Sequence, residues 1–151
     1  MNRHSLLYGN DPEQSDGRCQ RGQRVFCSNR GQRGGCGKTF SVFLAQVLPR
    51  HTINARLLWK VLSAWLAGAS LKASHEEVRL PLALETLYHL VQRLRARLDQ
   101  VRARLCRQRK APDSPHEDPL LQTVEHLRQV FCAALCPVSE FQFVFQRPLL
   151  G

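Results

Sequence analysis

The chain has 151 residues, of which 43% are hydrophobic, and a formal net charge of +10 at neutral pH. This size suits one domain, or two small units that share a core. No apolar run reaches the roughly 18 residues of a membrane span, and "MNRHSLLYGNDPEQ" lacks the apolar stretch of a signal peptide. We therefore expect a cytoplasmic protein without a membrane partner, whose six cysteines are free thiols or metal ligands.

The basic residues are concentrated in two segments. Residues 18–38 contain six basic residues and no acidic one, and residues 93–110 contain eight basic residues and one acidic residue, Asp99. The rest of the chain is therefore net acidic. Clustering of this kind is typical of a protein with a polyanionic partner such as nucleic acid, and a solvated helix face is the alternative.

Composition divides the chain into four units. Residues 1–50 are polar and rich in Gly and Arg, and only "RVFC" (24–27) and "TFSVFL" (39–44) have the pattern of strands. Residues 51–110 are helical, residues 111–119 form a link with three prolines, and residues 120–151 contain a helix and a tail. The sequence thus predicts a mainly α fold with a small N-terminal β arm.

The helices follow from caps and apolar spacing. We expect one helix over 54–67, capped by Asn54 and ended by Gly68, and a short one after Ser70. A long helix from Pro81 to about Arg109 has apolar residues three and four apart, the heptad seam: Leu84, Leu87, Val91, Leu94, Leu98, Val101 and Leu105.

Two uses of the heptad seam stay open. The long helix can pair with the helix at 120–135 as an antiparallel hairpin, or with a second copy as a coiled-coil homodimer. The tail "CPVSEFQFVFQRPLLG" is expected to be a short strand or an extended packing arm.

The segment "RVFCSNRGQRGGCGKTF" (24–40) has the outline of a site. A phosphate-binding P-loop would require glycine where Gln32 stands, and a helix where a strand is predicted, so we exclude it. Two cysteines around a turn fit a Zn²⁺ site better, because small loop-rich modules use thiolate–zinc bonds in place of a large core.

"DGRCQRGQRVFC" followed by "CGKTFS" resembles the N-terminal zinc ribbon of insertion-sequence transposases, with Cys27 and Cys36 on the second knuckle. The eight residues between them exceed the usual two, and "HSLLYG" replaces the first cysteine pair. The resemblance implies Zn²⁺ bound by Cys27, Cys36 and Cys19, with His4 or His51 as the fourth ligand. The alternative is a ribbon that has lost its metal and is retained as a basic arm.

"WLAGASLKASHEEVRLPLALETLYHLVQRLRARL" resembles the helix-turn-helix of transposases and resolvases. Gly68, Ser70 and Ala73 would form the turn and second helix, with the small Ala73 at a close helix crossing, and the recognition helix would follow. From both resemblances and the charge clusters we expect these DNA-binding residues: Arg18, Arg21, Arg24, Arg30, Arg33, Lys38, Ser70, Lys72, Thr86, His89, Gln92, Arg93, Arg95 and Arg97.

The sequence does not provide a catalytic site. The acidic residues Asp113, Glu117 and Asp118 lie in the proline-rich link, and no Ser-His-Asp or Cys-His arrangement is evident. We expect a non-enzymatic, nucleoid-associated bacterial protein that binds duplex DNA or RNA as an accessory factor or regulator of a mobile element. The alternative is an interaction module that docks onto a larger nuclease or transposase through its heptad helix.

Overall fold

The computed structural model describes residues 2–14, 17–29 and 34–150, with the backbone alone for residues 2–4. These parts of the chain form a three-stranded antiparallel sheet followed by six helices, which confirms a mainly α fold with an N-terminal β arm. The strands are β1 (Asn2–Asn10), β2 (Arg18–Phe26) and β3 (Thr39–Phe43). The helices are α1 (Ala55–Leu66), α2 (Leu71–Val78), α3 (Leu84–Arg95), α4 (Leu98–Gln108), α5 (Pro119–Val130) and α6 (Pro137–Phe145).

The sheet has the order β1-β2-β3 and includes both expected strands. β2 is longer than "RVFC" indicated, and β1 was not predicted because its polar sequence suits only an edge strand. In the register, Gln23 of β2 pairs with Leu6 and with Val42, while Val25 pairs with Phe40. Directly paired residues lie on one face of a sheet, so these apolar side chains share a face.

The first two helices begin as predicted. The Asn54 side chain accepts a hydrogen bond from the Leu57 backbone N–H at 2.8 Å, and Ser70 Oγ accepts one from the Ala73 N–H at 3.0 Å. Gly68 ends this segment with φ +100°, which favours glycine. The predicted close crossing at Ala73 is wrong, because Ala73 is exposed. Ser74 is the fully buried small residue of α2.

The long helix predicted from Pro81 to Arg109 is divided into α3 and α4. Helix α3 begins only at Leu84, and the chain leaves helical geometry at Arg97, where φ is −114° and ψ is 4°. Neither glycine nor proline marks this break. Leu94 and Leu98, on either side of it, line the same apolar cavity together with Leu120, so packing rather than local sequence accounts for the change.

Helices α4 and α5 run in the same direction, so the predicted antiparallel hairpin is wrong. Arg95, before α4, binds Asp118, the residue before α5. Arg109, after α4, donates to the Gln129 carbonyl near the end of α5 at 3.4 Å. The link over 110–118 therefore returns alongside α5, where the Ser114 hydroxyl donates to the Glu125 carboxylate.

The heptad seam is covered by the chain itself. Leu87, Val91, Leu94, Val101 and Leu105 are each 5% exposed or less and belong to the central hydrophobic core. A coiled-coil dimer would need these side chains on the surface. In this fold the seam is therefore not available to a second copy or a docking partner.

The tail folds as helix α6, so the prediction of a short strand or an extended packing arm is wrong. Pro137 occupies its first turn, where no backbone N–H is needed. Val138, Phe141 and Phe145 recur at helical spacing and face the core, and the last two rings pack with centroids 4.8 Å apart. Among the described residues, none of the helices combines the length and apolar character needed to cross a membrane.

Gln142 is a buried polar link between the two ends of the helical body. Its Nε2 donates to the carbonyls of Ala45 and Val47, the latter at 3.1 Å, and its Oε1 accepts from the Leu149 N–H at 3.0 Å. Buried backbone groups are costly to leave unpaired. One amide thus holds the segment before α1 against the C-terminal tail.

We expect Gln142→Leu to lower the free energy of unfolding by about 2–4 kcal/mol, because the backbone partners of the amide lose their hydrogen bonds in a buried site. Urea denaturation followed by circular dichroism measures this loss. The control is Gln108→Leu at an exposed position at the end of α4. Equal stabilities of the two variants would contradict the role of Gln142.

Candidate nucleic-acid interface

An open cleft of about 640 Å³ lies between the loop before α1 and the exposed side of α3. The loop contributes Arg50 and His51. The residues that α3 and its end contribute are Thr86, His89, Leu90, Gln92, Arg93 and Ala96. The set thus combines two arginines and two histidines with an amide and a hydroxyl, and contains no carboxylate.

Arg21 of β2 fixes the loop side of the cleft. Its Nη2 donates to the Leu48 carbonyl at 3.2 Å and to the His51 carbonyl at 3.0 Å. The loop turns sharply between these carbonyls, with Arg50 at φ +66° and the His51 N–H bonded to Leu48 O. One guanidinium therefore connects the sheet to the loop and sets the position of His51.

Helical periodicity fixes the other side of the cleft. Leu87, Leu90, Val91 and Leu94 bury one face of α3 in the core. Thr86, His89 and Arg93 are three and four residues apart, so they form a row on the exposed face. The arrangement presents a cation and two hydrogen-bonding groups to solvent along about two turns.

His51 is a residue of the cleft whose pKa is shifted. Burial lowers the pKa of its imidazole, and the positive charges of Arg93 and Arg21 lower it further. Its Nε2 is buried without a hydrogen-bond partner among the described residues. Burial and these two positive charges therefore disfavour protonation of His51 in the free cleft.

Several of the expected DNA contacts are engaged within the protein instead. Arg95 makes two hydrogen bonds to Asp118, at 3.0 and 2.6 Å, and Arg21 is bound to the loop carbonyls. Ser70 caps α2. Lys72 lies 4.0 Å from Glu76, and Arg97 is partly buried, with Nη2 3.5 Å from Gln100 Oε1.

The other residues of the β arm that were predicted to bind DNA are exposed or lie outside the described residues. Arg18 and Arg24 of β2 and Lys38 before β3 are exposed. Arg30 and Arg33 lie outside the described residues. Arg18, Arg24 and Lys38 are therefore exposed cations of the β arm.

The predicted zinc ligands do not come together. Cys27 and Cys36 are neighbours, because the Cys36 N–H donates to Cys27 Sγ at 3.4 Å. Cys19 lies eight residues away along β2, which corresponds to roughly 26 Å of strand. His51 lies in the cationic cleft, and the side chain of His4 is outside the description. Among the described residues, no group of three metal-binding side chains is assembled.

The sequence indicated only half of this cleft. Thr86, His89, Gln92 and Arg93 were expected, whereas Arg50 was not singled out and His51 was considered only as a metal ligand. Arg50 and His51, which follow Pro49 directly, were only weak sequence evidence of a site. Their meeting with α3, some 40 residues further along, depends on tertiary packing.

The comparisons with known proteins do not identify this chain. It matches no protein-family model, and no curated protein or solved structure is significantly similar to it.

Arg95→Ala is expected to lower the free energy of unfolding by about 1 kcal/mol, since it removes a two-point ion pair at a partly exposed site. Asp118 keeps a pKa below its usual range, because burial, which acts to raise it, is outweighed by the hydrogen bonds from Arg95 and the Leu120 N–H and by the Arg95 charge. Asp118→Asn preserves the helix cap. In a double-mutant cycle by urea denaturation, combining the two changes should cost less than the sum of the single losses. Strict additivity would show that the pair is not coupled.

The lowered pKa of His51 predicts a loss of stability in mild acid. Unfolded histidine titrates near 6.5, so below that pH the unfolded chain binds more protons than the native one and native stability falls. Urea denaturation at pH 7.5 and 5.5 should show a smaller decrease for His51→Gln than for the wild type. Thr86→Ala changes the cleft without removing a titratable group and should retain the full decrease. An unchanged decrease in His51→Gln would remove His51 as its source.

Proposed function

We propose that this chain is a duplex-DNA-binding protein, in which the cleft holds a backbone phosphate and the exposed side of α3 faces the major groove. The observation that carries the proposal is the meeting of Arg50, His51 and Arg93 with the row of Thr86 and His89. Arginines beside polar side chains on one helix are the combination that positions and reads a duplex.

Charge supports an anionic partner. No carboxylate lines the cleft, and repulsion from Arg93 and Arg21 contributes to the low pKa of His51. A phosphate oxygen would accept hydrogen bonds from the arginines and, with proton uptake, from His51 Nε2. Binding would thus satisfy a nitrogen that is otherwise buried without a partner.

The resemblance to the DNA-recognition half of insertion-sequence transposases extends this proposal. Helices α1 to α3 follow the order of a helix-turn-helix, although the connection from Arg79 to Ala83 is long. His75 Nε2 lies 2.8 Å from the Leu82 carbonyl and holds this connection against α2. The corresponding role is that of an accessory or regulatory factor of a mobile element, without nuclease activity of its own.

A protein partner is the second candidate, and the sheet favours it. Leu6, Phe40 and Val42 are 45–49% exposed and share one face. Apolar faces of this kind are typical of interaction surfaces. Docking onto a larger nuclease would then use the sheet, because the heptad seam is buried.

The discriminating experiment is binding of the purified chain to labelled duplex DNA over a salt series, with hairpin RNA and random-sequence duplex as competitors. Linear loss of log affinity with log salt is the expected result, since bound phosphates release counterions. Preference for one duplex would indicate base reading by α3. Absence of binding to every nucleic acid would refute the proposal and leave the protein-partner candidate.

Arg93→Ala should weaken duplex binding roughly 3- to 10-fold and reduce the salt slope by about 1, as expected for the loss of one phosphate contact. The control is Arg107→Ala, which removes the same charge at an exposed position in the last turn of α4. Fluorescence anisotropy at matched salt measures both variants. If they weaken binding equally, the cleft has no special role and only net charge matters.

A further inference from the structure

Cys27 and Cys36 face one another where the chain leaves β2 and approaches β3. The Cys27 N–H donates to the Lys38 carbonyl at 2.9 Å, and the Gly37 N–H donates to the Cys27 carbonyl at 2.9 Å. Gly37 has φ +67°, a conformation that favours glycine. These backbone bonds hold Cys27 against Gly37 and Lys38, and so place Cys36 beside Cys27.

The sulfur of Cys27 lies beside a second thiol. The Cys36 backbone N–H donates a hydrogen bond to it at 3.4 Å. Cys36 is exposed and Cys27 is half-buried. Two neighbouring thiols, one of which is open to solvent, have the features of a redox-sensitive pair.

Metal binding explains the pair less well. A structural Zn²⁺ site needs four ligands, and the described part of the chain supplies only these two thiols at this position. Cys19, the third cysteine of the arm, lies at the opposite end of β2. We therefore interpret the pair as a dithiol.

We propose that Cys27 and Cys36 form a reversible disulfide when the protein meets a hydroperoxide, and that this disulfide links the end of β2 to the approach to β3. The Cys27 thiolate attacks a peroxide oxygen, the O–O bond breaks, and a sulfenic acid forms with release of water or an alcohol. The Cys36 sulfur then attacks the sulfenic sulfur, forms the S–S bond and releases a second water. The two thiols lose two electrons and two protons, and the hydroperoxide accepts them.

The disulfide would close a ring around the eight residues that separate the two cysteines. This ring contains Arg30 and Arg33, two of the six basic residues between Arg18 and Lys38. Oxidation would thus add a covalent link between the end of β2 and the approach to β3, on either side of these two cations in the sequence.

Peptide mapping tests this proposal directly. Trypsin cleaves after Arg24, Arg30, Arg33 and Lys38, so residues 25–30 and 34–38 become separate peptides with one cysteine each. The full chain is treated with a small excess of hydrogen peroxide, alkylated, digested without reductant and analysed by mass spectrometry. We expect the two peptides to be joined, at their summed mass less two hydrogens, and to separate on treatment with dithiothreitol.

Variants separate this disulfide from general thiol oxidation. Cys36→Ser should abolish the joined peptide and leave Cys27 to oxidise further, to the sulfinic acid. The control is Cys106→Ser, which removes an exposed thiol on α4 and should leave the yield of the joined peptide within about twofold of the wild type.

Three results would overturn the proposal. The first is oxidation of Cys27 to sulfinic acid in the wild type without a joined peptide. The second is a disulfide that links Cys27 or Cys36 to another cysteine or to a second copy. The third is about one equivalent of Zn²⁺ per chain or per pair of chains in the purified protein, with both thiols protected from peroxide until a chelator is added.

Discussion

The cleft depends on the hydrogen bonds that Arg21 makes to the loop before α1. Its guanidinium spans from β2 to the carbonyls of Leu48 and His51, and charge-assisted hydrogen bonds of this type are stronger than neutral ones. The same side chain places a positive charge beside His51 and contributes to its lowered pKa. Arg21 therefore has two effects. It attaches the β arm to the loop before α1, and it disfavours protonation of His51. Arg21, which the sequence analysis predicted to bind DNA, thus has a structural role in the fold.

The core then determines what the cleft presents. Leu87, Leu90, Val91 and Leu94 bind α3 to the rest of the body, so the rotation of α3 about its axis is fixed by burial. Because residues three and four apart share a helix face, the same rotation exposes Thr86, His89 and Arg93 as a row. The position of these polar groups is thus a consequence of hydrophobic packing, and the break before α4 limits the row to the length of α3.

Local features of the fold were predictable from the sequence, and features that depend on long-range packing were not. The caps at Asn54 and Ser70 act within three residues, and they were correct. The break at Arg97 and the parallel course of α4 and α5 accompany contacts between distant residues, such as that of Arg95 with Asp118, which no local pattern encodes. "FQFVF" alternates like a strand, yet the apolar positions of α6 also fit a helix, and packing of Phe141 decided between them. For the same reason the α3 half of the cleft was predictable, whereas Arg50 and His51 were not.

Net charge alone does not show which of the basic side chains are available to a polyanion. The basic segment from Arg93 to Lys110 indicated a continuous nucleic-acid surface, yet Arg95 binds Asp118, Arg104 donates to the Gln100 carbonyl and Arg109 donates to the Gln129 carbonyl. Arginines that satisfy carbonyls near helix ends contribute to the fold, and their use as phosphate ligands would require those bonds to break. Among the described residues, Arg50 and Arg93 make no such bonds, and both line the cleft with His51. The charge of the sequence therefore overstates the number of arginines that can meet an anion without losing a hydrogen bond within the fold.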